Sequence, residues 1–312
     1  AWASPLQRRP WSTSRPNRWW NRLSDRFLVA IGYHGSSFHG SQVQKDVGTV
    51  EGSLRQALKR LTWWSDRCLE MSSRTDAGVS VRMNLARIDL PRPVSEKADE
   101  KSIIRALNDN LPVGATVISA NRAPADSKVR YAESRTYLYR LEAIEEWPSE
   151  SDPEAISDAC SLIEGVNDFT NLSRMDHGVD PVRTVDSCVP WMSDDGRVIG
   201  FSIQAKSFIW NQVRRIASAF SGIASGRIGF SDLESALSRP EVSADLGRGP
   251  SEGLVLWSIS HADFKSPFSD QLPPTAAFSP RPIDPRDYRR WLSMSQYEMG
   301  SLLEREWLSR LN

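Results

Sequence analysis

The chain has 312 residues, of which 39% are hydrophobic and 25% charged, with 39 basic side chains balanced by 39 acidic ones. It is long enough to bury one large core or two medium ones, no apolar run approaches membrane-spanning length, and zero net charge argues against a protein that coats nucleic acid indiscriminately while leaving room for a local basic cleft. Cys68, Cys160 and Cys188 stand far apart, without a CxxC pair or a partnered histidine, so neither a zinc site nor a disulfide framework is indicated and a reducing compartment is expected.

Taken in chain order, residues 1–25 form an Arg-rich segment expected to be disordered. Arg8, Arg9, Arg15, Arg18, Arg22 and the neighbouring Arg26 face one acid, Asp25. A transit peptide, a basic nucleic-acid-binding arm and translated upstream sequence all fit this composition. Phe27–Tyr33 predicts a strand ended by the turn-like HGSSFHGS. Thr49 is placed as an N-cap, followed by Val50, Leu54, Leu58 and Leu61 on one helical face. Another strand should lead into SSRTDAGV, and alternation resumes over Leu85–Leu90. Ser102–Leu111 reads as a helix stopped by Pro112, and Tyr137–Leu141 as a strand.

The polar, Pro-punctuated stretch 145–153 predicts a boundary. It divides the chain into an N-terminal half (26–145) and a C-terminal half (146–262). Pro153–Glu164 predicts a helix with Ile156, Ala159, Cys160 and Ile163 on its apolar stripe. Val198–Ala205 alternates as a strand, Phe208–Ser225 reads as a long helix, and Leu254–Ile259 as a last strand. Residues 263–312 should form a Pro-rich linker and a terminal amphipathic helix bearing Leu303, Trp307 and Leu311. Strands and helices mix without a regular βαβ repeat, and no Gly-rich phosphate loop follows a strand. The order favours an α+β fold with antiparallel sheet.

Four segments set polar or charged groups beside apolar sequence: YHGSSFHGSQ (Tyr33–Gln42), SSRTDAGV around Asp76, RYAESRTYLYRL (Arg130–Leu141) and AKSFIWNQVRRI (Ala205–Ile216). Each has an ordinary structural explanation. Thr75-Asp76-Ala77-Gly78 is a turn, with Asp bonding its own backbone and Gly supplying a positive φ. Arg214 and Arg215 on a helix suit solvated or snorkelling side chains. Tyr137 suits a core aromatic with a bonded hydroxyl.

Together, however, GYHGSSFHGSQ, SSRTDAGVSV, SRTYLYRL, AKSFIWNQVRRI and GPSEGLVLWSI resemble the TruA-type tRNA pseudouridine synthases in order and approximate spacing. The resemblance covers roughly residues 26–260. NDF (Asn167–Phe169) and PVRT (Pro181–Thr184) are further matching blocks. It implies a fold of two similar α/β halves whose mainly antiparallel sheets join into one, with outer helices and a central RNA-binding cleft. It also implies a homodimer acting on tRNA, in the anticodon stem-loop and within tRNA positions 38–40. The alternative is a non-catalytic tRNA-binding or chaperone protein on the same fold. A cytoplasmic location is expected, or a mitochondrial one if the N-terminal segment is a transit peptide.

The reaction breaks the uracil N1–C1′ bond, turns the base and rejoins it through C5. Atoms and oxidation state are conserved, so no cofactor and no metal is expected. One carboxylate suffices, as nucleophile on the sugar or as base at the 2′ proton. By resemblance Asp76 is that carboxylate, kept charged by a cation, with Arg214 as its partner and Tyr137 stacking on the target base. Arg74 resembles the residue that holds the nucleotide flipped out. Thr75, Gly78, Arg135, Lys206 and Arg215 complete the expected substrate-binding set. The chain departs from the family pattern at His34 (often Asp), Ser41 (Trp or Phe) and Ser80 (His). The spacing from Arg130 to Tyr137 is also one residue shorter than the bacterial pattern.

Overall fold

A computed structural model describes residues 24–311; the expectation for the basic N-terminal segment therefore lies almost wholly outside the described residues. One nine-stranded sheet organises the chain. Its strands are β1 (Ser24–Tyr33), β2 (Leu69–Met71), β3 (Ser80–Pro91), β4 (Ala115–Arg122), β5 (Ser134–Arg140), β6 (Gly165–Asp168), β7 (Val182–Met192), β8 (Val198–Ala205) and β9 (Leu254–Ser260). The spatial order is β4-β1-β3-β9-β5-β8-β7-β6, with β2 pairing to β3. All pairings are antiparallel except β3–β9, where Ser80 and Val81 lie beside Val255 and Leu256. The fold is mixed α+β with a large, mainly antiparallel sheet.

Strand character follows position. β1, β3, β5, β8 and β9 are buried almost continuously, as expected of central strands covered on both faces. β7 buries Val185, Cys188 and Trp191 and leaves the residues between them exposed or half-buried. Register shifts in its pairing with β8 and Pro190 within it break the period of two, so that only the PVRT block, expected to precede a strand, marks it in the sequence. Ser24 and Asp25 already belong to β1, and Arg26 pairs with Asp89 at 2.8 Å. β5 precedes the polar stretch 145–153, yet it pairs on both sides with strands that follow it.

The helices are α1 (Val50–Arg60), α2 (Arg92–Ser95), α3 (Glu100–Asn108), α4 (Pro153–Ile163), α5 (Gln212–Ala224), α6 (Phe230–Ser238) and α7 (Pro285–Leu311). Thr49 caps α1, its hydroxyl accepting from Gly52 N at 3.2 Å. Asp99 caps α3 by accepting from Ser102 N, so that helix starts two residues before the predicted position. α5 begins at Gln212 rather than Phe208, because Asn211 takes φ 62° and breaks the helical path.

α7 packs on β3 and β4. Tyr288, Trp291, Ser295, Met299, Leu303 and Trp307 face inward, whereas Leu311, expected on the apolar face, is 40% exposed. Two buried arginines bind the helix to the body. Arg82 lies 4.0 and 4.2 Å from the Trp257 and Phe268 rings and meets Glu306 at 2.7 Å. Arg140 meets Glu142 at 2.9 Å and Glu298 at 3.1 Å. Trp307 donates to Arg82 O and sits so close to Gly32 that a Cβ there would lie 2.3 Å from its Nε1. The connection 263–284 is also packed, with Phe264 and Phe268 buried. No described helix is long and apolar enough to cross a membrane.

Candidate active site

The loop between β2 and β3 carries Asp76 to the end of the β3–β9 seam. Its path is fixed by ties on every side. Ser41 clamps Thr75 twice, donating from its N–H to Thr75 O at 3.0 Å and accepting from Thr75 N on its hydroxyl at 2.8 Å. The Thr75 hydroxyl meets Tyr33 OH at 2.8 Å, and burial pushes that phenol up to about 12, keeping it neutral. Asn84 bonds both Ser73 N and Ser73 O. Gly78 turns the chain at φ 85° and donates to Gly35 O. A Cβ on Gly35 would lie 2.3 Å from Gly78 backbone, so the HGSSFHG turn and the aspartate loop touch backbone to backbone. Ser80, where the family often has His, accepts from Gly35 N at 3.0 Å. Two of the departures, Ser41 and Ser80, are thus ties that hold the loop. His34 bonds Glu304 of α7 at 2.8 Å.

Both carboxylate oxygens of Asp76 are met by donors. Arg214 Nη1 reaches Oδ2 at 3.2 Å, and Trp210 Nε1 reaches Oδ1 at 3.0 Å. Arg214 is itself held by Nε donating to Gly249 O at 2.9 Å and Nη1 to Asn211 Oδ1 at 3.3 Å. Gly249 N returns a bond to Arg214 O, and Tyr139 OH donates to Pro250 O, so the GPSEG segment forms the bed beneath the arginine. Tyr137 stands two strands from Val81, in the row Val81–Leu256–Tyr137, about 10 Å across the sheet. Its ring meets Phe208 edge-on with centroids 5.2 Å apart. Burial raises its pKa, so the phenol stays protonated. Among the described residues its hydroxyl has no hydrogen-bond partner.

These groups open into a cleft of about 730 Å³, within the range of small-molecule and nucleotide sites. Asp76, Tyr137, Arg214, Arg74, Thr75 and Arg135 all line it. Arg74 is exposed and makes no hydrogen bond or ion pair within the described residues. Arg135 is a buried tie: Nε donates to Ser73 Oγ at 2.7 Å and the rest of its fork to Ser72 O, Arg130 O and Lys206 O. Lys206, Arg215 and Gly78 do not line the cleft; Arg215 pairs with Asp245 at 2.9 Å and Gly78 shapes the loop. Trp210 was missed in the sequence because an aromatic in FIWNQV reads as core, although the Asn after it is a turn signal. Arg130 and Arg183 add cations to the lining, against Asp176 as a second acid. Among the described residues no group of three or more His, Cys, Asp or Glu is placed to hold a metal ion.

The mixed α+β fold thus sets a carboxylate held by two donors into a cleft lined with arginines. The profile described as tRNA pseudouridine synthase matches residues 159–261. The chain is 34% identical to tRNA pseudouridine synthase A of Methanocorpusculum labreanum over 75% of this chain and 79% of that protein. It is 32% identical to that of Pyrococcus abyssi over 79% and 88% of the two chains, and 30% identical to that of Xanthobacter autotrophicus over 76% and 99%. The chain belongs to the TruA-type tRNA pseudouridine synthase family, and is an enzyme of that class, an isomerase.

Proposed function

We propose that the chain isomerises uridine to pseudouridine in tRNA, in the anticodon stem-loop and within positions 38–40, with Asp76 as the reacting carboxylate. The observation that carries this reading is the setting of Asp76, at the end of the seam, with a donor on each oxygen and a buried tyrosine lining the same cleft. Asp76 attacks C1′ or takes the 2′ proton; either route releases the uracil, which turns and bonds through C5 as the C5 hydrogen leaves. Arg214 holds the carboxylate against recoil of charge. Tyr137 presents an aromatic wall and a free hydroxyl to a base taken out of its stack. Arg74, with Arg130 and Arg183, offers cations to the phosphates around the flipped nucleotide.

In the same reading the two halves meet where β9 runs beside β3, which gives β5 to the second half by its pairing. Two copies then act together on one tRNA, concentrating the basic lining of a chain whose net charge is zero. The test is to incubate the protein with unmodified tRNA transcripts and map pseudouridine by carbodiimide-dependent reverse-transcription stops. A stop in the anticodon arm that vanishes with Asp76→Asn is expected. No stop in any arm would overturn the reading, and a stop elsewhere would overturn the assigned position.

A further inference from the structure

Trp210 stands apart among the described tryptophans. Trp147, Trp191, Trp257, Trp291 and Trp307 are buried, whereas Trp210 is 41% exposed at the cleft. Burial is not what places it there. Its indole N–H points at Asp76 Oδ1 at 3.0 Å, and its ring lies 4.1 Å under the Arg174 guanidinium. Its carbonyl accepts from Arg174 N at 2.7 Å, so backbone and ring are held by the same residue. Asn211 then turns left-handed and starts the helix that carries Arg214. Five consecutive residues thereby supply a donor to each oxygen of one carboxylate.

We infer that Trp210 is a positioning residue for Asp76, and that Arg174 braces the indole in that task. This rests on Asp76 being the reacting carboxylate. The torsion that turns a carboxylate about its Cβ–Cγ bond has broad, shallow wells and moves both oxygens together, so the single 3.2 Å contact from Arg214 restrains it only loosely. A second donor on Oδ1 fixes the plane without adding a second charge. Each oxygen keeps a further lone-pair site for the sugar. Aim matters here, because displacing a reacting atom by an ångström costs about a hundredfold in rate. The cation over the indole face draws density from the ring and strengthens the N–H as a donor.

The test compares Trp210→Phe, Trp210→Ala, Trp210→His and Arg174→Ala in steady-state pseudouridylation of a tRNA transcript. Phe keeps an aromatic ring and loses the donor; a His can set its Nε2–H where the indole Nε1–H stands. Trp210→Phe is expected to lower kcat by about tenfold to a hundredfold, the loss of a hydrogen bond to a charged group, with KM within about threefold. Trp210→His should regain at least half of that loss on a logarithmic scale, and Arg174→Ala should fall between wild type and Trp210→Phe. A kcat for Trp210→Phe within twofold of wild type, a loss confined to KM, or equal rates for Phe and His would overturn the inference. The contact is also read without turnover: the Trp210 Nε1–H resonance, assigned by its loss in Trp210→Phe, should move in Asp76→Ala. An unmoved resonance overturns the inference, whereas wild-type protein that makes no pseudouridine overturns the function reading instead.

Discussion

Asp76 is held by two donors of different kinds, one a charged fork and one a neutral ring, and each makes a separate claim on activity. Asp76→Asn keeps the shape of the side chain and removes the nucleophile or base, so turnover should fall by about a thousandfold or more, with folding unchanged by circular dichroism. Arg214→Lys tests geometry at constant charge. The guanidinium meets Gly249 O from Nε and Asp76 and Asn211 from Nη1, two nitrogen positions that one compact ammonium does not reproduce. A loss of about tenfold or more in kcat is expected, with tRNA affinity measured alongside to separate binding from chemistry. The sequence carried Asp76, Arg214 and Tyr137 in recognisable blocks, and the structure brings those three to one cleft. It did not carry Trp210, because exposure is a tertiary property and the same letters serve a buried aromatic. Nor did it show that Arg135 is spent on Ser72, Ser73 and Lys206, since a basic residue beside a strand looks free until its partners are placed. Ser41 and Ser80 illustrate the converse: out of family pattern in the sequence, they become loop ties once their neighbours are known.

At the scale of elements, the helices with sharp caps were the most legible. Thr49 and the Asp152–Pro153 start behave as local chemistry dictates. β7 was legible only through the PVRT block, after which a strand is expected, because its register shifts erase the alternation that marks a strand. The pairing of β5 was hidden for a different reason: which strands flank it is decided by residues sixty or more positions away. α7 shows how a terminal helix becomes part of the core. Its Glu306 neutralises Arg82, a side chain only 2% exposed between two aromatic rings, and burial without compensation disfavours that charge. Glu306→Ala should therefore cost about 2–4 kcal/mol, visible as a lower urea midpoint with an unchanged slope. Loss of less than about 0.5 kcal/mol would mean that α7 is not held through this pair.

Across the whole molecule, acid stability follows from several carboxylates. The Ser95 hydroxyl, with Arg122, holds Asp25 below its usual range, and the Ser102 contacts do the same for Asp99. Asp195 is held at about 2 by Ser193 and Arg197, and Asp245 is lowered by Gly247 N and Arg215. A depressed folded value means that the unfolded chain binds more protons, so this stability is present above the unfolded value near 4 and is lost as pH falls toward 2. Glu142, raised by burial, acts oppositely: its contribution declines as pH rises through its folded value. The urea midpoint should accordingly drop between pH 5 and pH 2, and Asp25→Asn should flatten part of that slope. The isomerisation has a direct readout, because the C5 hydrogen must leave for solvent as the C5–C1′ bond forms. Tritium release from tRNA transcribed with 5-tritiated uridine, wild type against Asp76→Asn, tests it. Release of about one tritium per modified site by wild type and none by the variant is expected. Equal release by both, or none by wild type, would contradict it.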